Sequence, residues 1–293
     1  MDIRQIRYFL EVAREGSISH AAERLYITQP SLTRRMQNLE SEVGRSLFIR
    51  GGRRLRLTET GELLKKRAEQ ITELFDKTEA ELLVPAGEPS GDVFIGGGET
   101  RAMKLLTDVA AKLHADCPGI YFHIYSGDMS DISERLDKGL ADFGLFIEPA
   151  DLGKYEYLTL PFSDEWGIIM PSGHPLAAKE SITPEDLAGV PLMRSRHSLD
   201  RSAISEWVAS IPDPKPAATY NLLYNATLMA EAGIGCVLCI NGIVNLTGSE
   251  TLCFRPLSPA VRSGVSVAWK KDQVFSRAAS LFLKYLKASI AEK

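Results

Sequence analysis

The residues best suited to chemistry lie in the segment TQPSLTRRMQN, from Thr28 to Asn38. Leu32, Met36 and Leu39 recur at helical spacing, so a helix here buries one side and exposes the other. The exposed side carries small, polar and cationic residues, namely Gln29, Ser31, Thr33, Arg34, Arg35 and Asn38. Arg forks onto guanine, Gln or Asn pairs with adenine, and Ser or Thr contacts either, which suits the DNA major groove. The alternative is a solvated helix face, and surface charge by itself favours that alternative.

The elements around this helix decide between the two interpretations. Ser17 can cap a short preceding helix, and Thr28 followed by Pro30 marks the start of the second one. Residues 47–49 then form a short apolar strand, glycines follow at 51 and 52, and residues 53–57 alternate as a strand should. The sequence therefore predicts a helix-turn-helix with a basic wing. The expected DNA contacts are Ser17, Thr28, Gln29, Pro30, Ser31, Thr33, Arg34, Arg35, Asn38, Arg50, Arg53 and Arg54.

Residues 3–60 resemble the DNA-binding domain of LysR-type transcriptional regulators. The motifs GSISHAAERL, TQPSLTRRMQNLE, VGRSLFIR and RRLRLTETG stand in that family's order and spacing, without a gap. The resemblance implies a regulator that binds double-stranded DNA in a sequence-specific way. It carries no base specificity across, because Met36 and Gln37 stand where members vary freely.

Charge is divided unevenly along the 293 residues, which are enough for two or three domains. Residues 1–66 hold 13 Lys or Arg and 8 Asp or Glu, whereas the rest of the chain has a net charge of −9. Only the N-terminal part therefore attracts a polyanion. The sequence has no membrane span and no apolar signal segment at its start, so we expect a cytoplasmic protein with four free cysteines.

A long helix is predicted from Thr58 to Val84. Its apolar stripe follows a heptad pattern, which predicts pairing with the same helix of a second copy, although a lone surface helix is the alternative. The stripe comprises Leu64, Ala68, Ile71, Phe75, Thr78 and Leu82. LysR-type proteins pair through a helix here and commonly form dimers of dimers, so we expect a dimer, an inverted-repeat operator and a homotetramer. RNA polymerase is a further candidate partner.

A hinge of Pro, Gly and Ser at residues 85–91 marks a domain boundary. After it, strands alternate with helices, which indicates a parallel sheet covered on both faces. Separate strands are predicted at 157–160 and 166–170 on either side of Pro161. The segments GDMSDISERLDKGLADFGLFI and EAGIGCVLCI also resemble the effector-binding part of the LysR family, which has a two-lobed, periplasmic-binding-protein-like α/β fold.

The resemblance implies a division of the chain into three parts. Residues 1–58 form the winged helix-turn-helix, 59–90 the dimerisation helix and hinge, and 91–293 the effector-binding domain. Lobe I then covers residues 91–162 and 265–293, and lobe II covers 163–264. The fold class is thus α/β multidomain, with a winged helix-turn-helix, a long linker helix and a two-lobed sensor.

A ligand cleft is expected between the lobes, where strand ends and helix starts favour anions. Gly96–Gly98 followed by Thr100 and Arg101 either binds a ligand or forms only a tight turn. Family resemblance favours binding here and at three further places. The expected effector contacts are Thr100, Arg101, Gly127, Asp128, Met129, Ser130, Phe146, Ile147, Ser195, Arg196, His197 and Tyr224. Mixed charge around them suggests an anion or an amino-acid-like zwitterion, although Glu148 can bridge the cleft instead and Arg194 can lie outside it.

Enzymatic and metal chemistry have little support in the sequence. The five histidines are scattered, no G-x-S-x-G occurs, and no cofactor or metal is expected. Cys236 and Cys239 form a C-x-x-C, which on a strand points to opposite faces and indicates core residues rather than the cysteine pair of peroxide-sensing relatives. A solute-binding protein or an enzyme of the same fold is the alternative, and neither explains the basic head.

Overall fold

The computed structural model describes residues 1–49, 51, 54–83, 87, 89–195 and 202–292. Contacts divide the chain into two compact units, Met1–Leu83 and Val84–Lys293. Among the described residues, no helix is long and apolar enough to cross a membrane. The long helix thus belongs to the same unit as the helix-turn-helix.

The first unit is a small helical domain with a two-stranded wing. Its elements are α1 (Ile3–Glu15), α2 (Ile18–Arg24), α3 (Gln29–Val43), β1 (Phe48–Ile49), β2 (Arg56–Leu57) and α4 (Glu59–Leu82). Its core contains fully buried Phe9 of α1, Leu32 and Met36 of α3, and Ala68 of α4. Because α1 and α3 both contribute to this core, the outer face of α3 is held in a fixed orientation.

Local signals set where these helices begin and end. Ser17 Oγ accepts a hydrogen bond from His20 N at 3.4 Å, and Thr58 Oγ1 accepts one from Gly61 N at 3.0 Å. Gly61 lies where α4 meets the wing, and a Cβ atom at this position would stand 2.2 Å from the carbonyl oxygen of Leu47. Only glycine therefore lets the first turn of α4 approach the strand so closely.

The second unit is an α/β domain built on one continuous sheet. Its elements are β3 (Ser90–Gly97), α5 (Met103–Asp116), β4 (Gly119–Ser126), α6 (Met129–Asp137), β5 (Phe143–Ile147), β6 (Tyr155–Pro171), β7 (Pro191–Ser195), α7 (Ala203–Ala209), β8 (Lys215–Tyr220), α8 (Leu223–Glu231), β9 (Cys236–Ile240), β10 (Leu252–Pro256), β11 (Arg262–Lys270) and α9 (Arg277–Ala291). The strand order is β4-β3-β5-β11-β6-β9-β7-β8, and β10 also pairs with β6.

The sheet is mixed: the predicted parallel pairing is present within each half, and antiparallel strands lie between the two halves. Strands β3, β4 and β5 run parallel in one half, and β7, β8 and β9 run parallel in the other. Between them β6 and β11 run antiparallel, because the chain leaves the first lobe along β6 and returns along β11. These two long strands connect the lobes.

Strand β6 also corrects the prediction of two short strands separated by Pro161. The strand continues through the proline, and its pairing with β11 shifts register between Gly264 and Ser266, next to the place where Pro161 lies. A register irregularity tolerates a residue that lacks an N–H group. The sequence did not predict a strand at the position of β10.

Each lobe has its own apolar core. The first contains Phe143, Val267 and Phe282, and the second contains Ile168 and Leu238. All five residues of β9 are buried, and Cys236 and Cys239 belong to different clusters on its two sides. Burial raises the pKa of Cys236 to about 11 and raises that of Cys239 further, so neither thiol is readily ionised.

Candidate functional site

The outer face of α3 presents polar side chains to solvent. Gln29, Arg34 and Asn38 are exposed, and Pro30 is exposed beside Gln29. Ser31 and Thr33 are half-buried between them. The helix thus has the composition and exposure that direct contact with base edges requires.

The two consecutive arginines of α3 differ in their surroundings. The guanidinium carbon of Arg35 lies 5.2 Å from the centroid of the Tyr8 ring, so α1 holds this side chain through a cation–π contact. The side chain of Arg34 makes no hydrogen bond or ion pair within the described part of the chain. Arg34 is therefore the better placed of the two to bind an external partner.

The remaining predicted DNA contacts lie at the ends of these elements. Ser17 is half-buried and caps α2, whereas Thr28 is exposed and its side chain makes no capping bond to α3. Arg54 is exposed in the wing, and the predicted contacts Arg50 and Arg53 lie outside the described residues.

Tyr26 is a candidate that the sequence did not reveal. It stands in the turn before α3 with φ of 54°, a left-handed conformation that non-glycine residues seldom adopt, and its side chain is 95% exposed. A large aromatic residue in such a position has no packing reason to be there. Its place two residues before Thr28 puts it beside the predicted DNA-binding residues.

A cavity of ≈ 150 Å³ lies between the two lobes of the second unit. Its walls come from the ends of β3, β5, β7 and β9, from the starts of α6 and α8, and from the crossing strands β6 and β11. The apolar part of the lining includes Leu145, Phe146, Ile147, Trp166, Tyr220, Ile240 and Ile243. A pocket at strand ends between two lobes is a general location for ligand sites in α/β proteins.

Several of the predicted effector residues meet at this cavity, and others do not. The lining includes Gly127, Asp128, Met129, Phe146, Ile147 and Ser195. Ser130 is exposed and Tyr224 is 62% exposed, and neither lines the cavity, although Leu223 beside Tyr224 does. Arg196 and His197 lie outside the described residues.

Thr100 and Arg101 do not line the cavity, and the Thr100 side chain is instead bonded to Asp164 on the crossing strand β6. Thr100 is 8% exposed, and its Oγ1 donates to Asp164 Oδ2 at 2.5 Å. The Arg101 side chain instead lies over Gly242, where an added Cβ would stand 2.6 Å from Arg101 Cδ. Asp164 is 1% exposed, and its burial raises the pKa of the carboxyl group. Thr100 therefore fastens the two lobes together.

The charged residues of the cavity lining are all acidic in the described part of the chain: Glu99, Asp128 and Glu148. Glu99 Oε2 accepts from Leu223 N at 2.6 Å, which caps α8 from the opposite lobe. Asp128 forms a capping box with Asp131 at the start of α6, and Glu148 Oε1 accepts from Ser266 Oγ at 3.0 Å. These carboxylates favour ligand groups that donate hydrogen bonds or carry positive charge.

The lobe-crossing strands contribute lining residues that were not predicted as site residues. Trp166 Nε1 donates to Ser263 Oγ at 3.0 Å, and both residues line the cavity from β6 and β11. Tyr220 also lines the cavity, from the end of β8; its hydroxyl donates to Leu238 O at 2.7 Å, and burial raises its pKa well above the usual range. A local pattern carries no signal for Trp166 and Ser263, because their side chains meet only where β6 and β11 pair.

Two domain families match this chain, one over its N-terminal part and one over the rest. The family described as bacterial regulatory helix-turn-helix protein, lysR family, matches residues 3–62, and the LysR substrate binding domain matches residues 86–291. The Hca operon transcriptional activator HcaR of Escherichia coli is 30% identical over 283 residues, which cover 94% of this chain and 93% of that protein. The HTH-type transcriptional regulator YybE of Bacillus subtilis is 26% identical over 294 residues, the whole of both chains.

Solved structures of full-length proteins share the fold. The crystal structure of full-length CbnR complexed with its target DNA has a TM-score of 0.78 at 20% identity, and the similarity covers 99% of this chain and 100% of that one. A crystal structure of CbnR, described as a LysR family transcriptional regulator, has a TM-score of 0.79 at 19% identity.

Proposed function

This chain belongs to the LysR family of bacterial transcriptional regulators, and from that premise we propose that it binds a specific operator under the control of a small molecule held between its lobes. Family membership confirms the predicted resemblance and fold class, and it makes the chain a DNA-binding regulator rather than an enzyme. The observation that carries the proposal is the combination in one chain of an exposed polar helix face and an interlobe cavity. Control by a ligand requires that it bind two states of the regulator unequally.

For DNA, we propose that α3 reads bases and that the wing contacts phosphates. Gln29, Arg34 and Asn38 are the exposed polar residues of α3, and Arg54 is an exposed cation of the wing. A contact to a base edge discriminates between sequences, whereas a contact to phosphate strengthens binding to any duplex. The loss of Arg34 should therefore reduce specificity for the operator, whereas the loss of Arg54 should reduce affinity for any duplex.

The test compares Arg34→Ala with Arg54→Ala by fluorescence anisotropy on an operator selected in vitro and on a random duplex of equal length. We expect Arg34→Ala to weaken operator binding by about 1–3 kcal/mol with a much smaller loss on the random duplex. Arg54→Ala should weaken both to a similar extent and reduce the dependence of affinity on salt. Equal losses on both duplexes for Arg34→Ala would refute a base-reading role.

We propose that the exposed half of α4 pairs two copies of the chain. In the predicted stripe, Ala68 is fully buried against α1, whereas Ile71 and Phe75 are 43% and 42% exposed and Leu82 is 80% exposed. The adjacent Leu74 is 43% exposed and widens this apolar face. Two copies of the chain would present two copies of α3 to an inverted repeat. The family resemblance supports four further proposals. They are a dimer of dimers, contact with RNA polymerase, a cytoplasmic location, and division of the chain into three parts at residues 58 and 90.

For the effector, we propose a zwitterion with an apolar body, such as an aliphatic amino acid. The sequence left an anion and a zwitterion open. In the described part of the cavity, the charged lining residues Glu99, Asp128 and Glu148 suit an ammonium group better than a carboxylate. Leu145, Trp166 and the other apolar residues suit a hydrocarbon side chain. Arg196 and His197 stay predicted contacts for a carboxylate.

Three compounds with the same branched body but different charge test this proposal: leucine, 4-methylpentanoate and isopentylamine. Calorimetry on the full chain should detect leucine, weaker binding of the amine, which lacks the carboxylate, and no heat from the acid. Glu148→Gln should weaken binding of a compound that carries an ammonium group at least tenfold. Binding of the acid alone would contradict the assignment.

A further inference from the structure

Strand β7 places neighbouring residues on opposite faces of the second-lobe sheet. Ser195 lines the interlobe cavity, whereas Arg194 lines a separate groove on the α7 side, together with Leu192. This alternation follows from the two-residue period of a strand. Arg194 is therefore a cation of the second lobe that the interlobe cavity does not use.

The groove has a volume of ≈ 280 Å³ and lies between α7, β7 and β8. Leu192, Val208 and Ile211 give it an apolar floor, and each of them is at most 8% exposed. Arg194 and Lys215 are its charged lining residues, and no acidic side chain lines it within the described part of the chain. The groove thus combines an apolar interior with positive charge.

Arg194 lacks an anionic partner among the residues that the structure describes. Its side chain is half-buried, and it makes no hydrogen bond or ion pair with any described residue. Partial burial of a guanidinium beside apolar side chains is unfavourable unless an acceptor compensates for the lost hydration. Lys215 is only loosely paired, because its Nζ lies 3.9 Å from Asp213 Oδ2 and the two side chains are 57% and 77% exposed.

We propose that this groove is a second ligand site, distinct from the interlobe cavity, and that it takes a small apolar monocarboxylate. The hydrocarbon part lies on Leu192, Val208 and Ile211, and the carboxylate accepts hydrogen bonds from Arg194. Arg presents its donors in a planar fork that matches the two oxygens of a carboxylate. Lys215 adds a second positive charge at the exposed end of the groove.

Isothermal calorimetry with octanoate on the full chain tests the site. Arg194→Met removes the charge and keeps an apolar side chain of similar length, and Lys284→Met is the matched control, since Lys284 is an exposed cation of α9 in the other lobe. We expect Arg194→Met to weaken octanoate binding at least tenfold and Lys284→Met to leave it unchanged. Octanol, which has the same chain without the charge, should bind at least tenfold more weakly than octanoate.

A third variant separates the groove from the interlobe cavity. Gly98 lines that cavity, and a Cβ atom there would lie at an ordinary 3.6 Å from Ile147 Cδ1, so Gly98→Leu fills the cavity without a backbone clash. Octanoate binding that survives Gly98→Leu and is lost in Arg194→Met supports the proposal. Binding lost in Gly98→Leu but kept in Arg194→Met, or no binding to the unsubstituted chain at millimolar octanoate, overturns it. A thermal melt of Arg194→Met equal to that of the unsubstituted chain verifies that the variant is folded.

Discussion

Substitution of Thr100 by valine should reveal how strongly the bond between Thr100 and Asp164 fastens the lobes. Thr100 Oγ1 donates to Asp164 Oδ2 at 2.5 Å and accepts from Ala102 N at 3.0 Å. Valine has nearly the same shape but can form neither bond. Asp164 Oδ1 already lacks a hydrogen-bond partner in the described structure, so the variant would leave a buried carboxyl group with one interaction fewer.

The expected cost follows from the two lost bonds. A hydrogen bond to a charged acceptor contributes about 1.5–3 kcal/mol, and a bond to a buried backbone N–H contributes about 1 kcal/mol. Thr100→Val should therefore lower the free energy of unfolding of the second unit by about 3 kcal/mol. Thr100→Ser keeps the hydroxyl and loses one methyl group, which costs about 1 kcal/mol.

Urea unfolding followed by tryptophan fluorescence measures this difference in the intact chain. All three tryptophans, Trp166, Trp207 and Trp269, lie in the second unit, so the signal reports that unit alone. The two variants should differ by about 2 kcal/mol, the contribution of the hydroxyl. If Thr100→Val and Thr100→Ser cost the same, the hydroxyl contributes nothing and the proposed fastening of the lobes is wrong.

Three further predictions address other parts of the molecule. Burial raises the pKa of Asp164 in the folded state, so the unsubstituted chain loses stability as the pH rises and this carboxyl group ionises. Asp164→Asn should therefore cost less stability at pH 7 than at pH 4 in the same urea assay. An equal cost at both pH values would contradict this. Ile71→Asp with Phe75→Asp should shift the full chain to a smaller species in light scattering, because two unpaired charges enter an apolar contact, whereas Lys66→Asp should leave the assembly unchanged. Gly61→Ala should lower the melting temperature of the first unit, measured by circular dichroism, because the added Cβ would overlap the Leu47 carbonyl oxygen. Alanine by itself favours a helix over glycine by about 1 kcal/mol, so a higher melting temperature would refute that contact.

The sequence by itself determined the parts of the protein that depend on near neighbours. The buried positions Leu32, Met36 and Leu39 and the caps Ser17 and Thr58 follow from helical periodicity and from hydrogen bonds that span three residues. The exposed polar face of α3 follows from the same periodicity. Strands β5 and β9 coincide with short apolar runs of the sequence.

Only the tertiary structure decided what surrounds the ligand. Thr100 and Asp164 are 64 residues apart in sequence, and Glu99 and Leu223 are 124 apart, so no local pattern shows that the first pair fastens the lobes or that the second closes one side of the cavity. The crossing of β6 and β11 likewise brings Trp166 and Ser263 together. Adjacent residues of one strand then face different pockets, Ser195 the interlobe cavity and Arg194 the groove. The physical reason is that periodicity specifies which side a residue faces, whereas only packing of distant elements specifies what lies on that side.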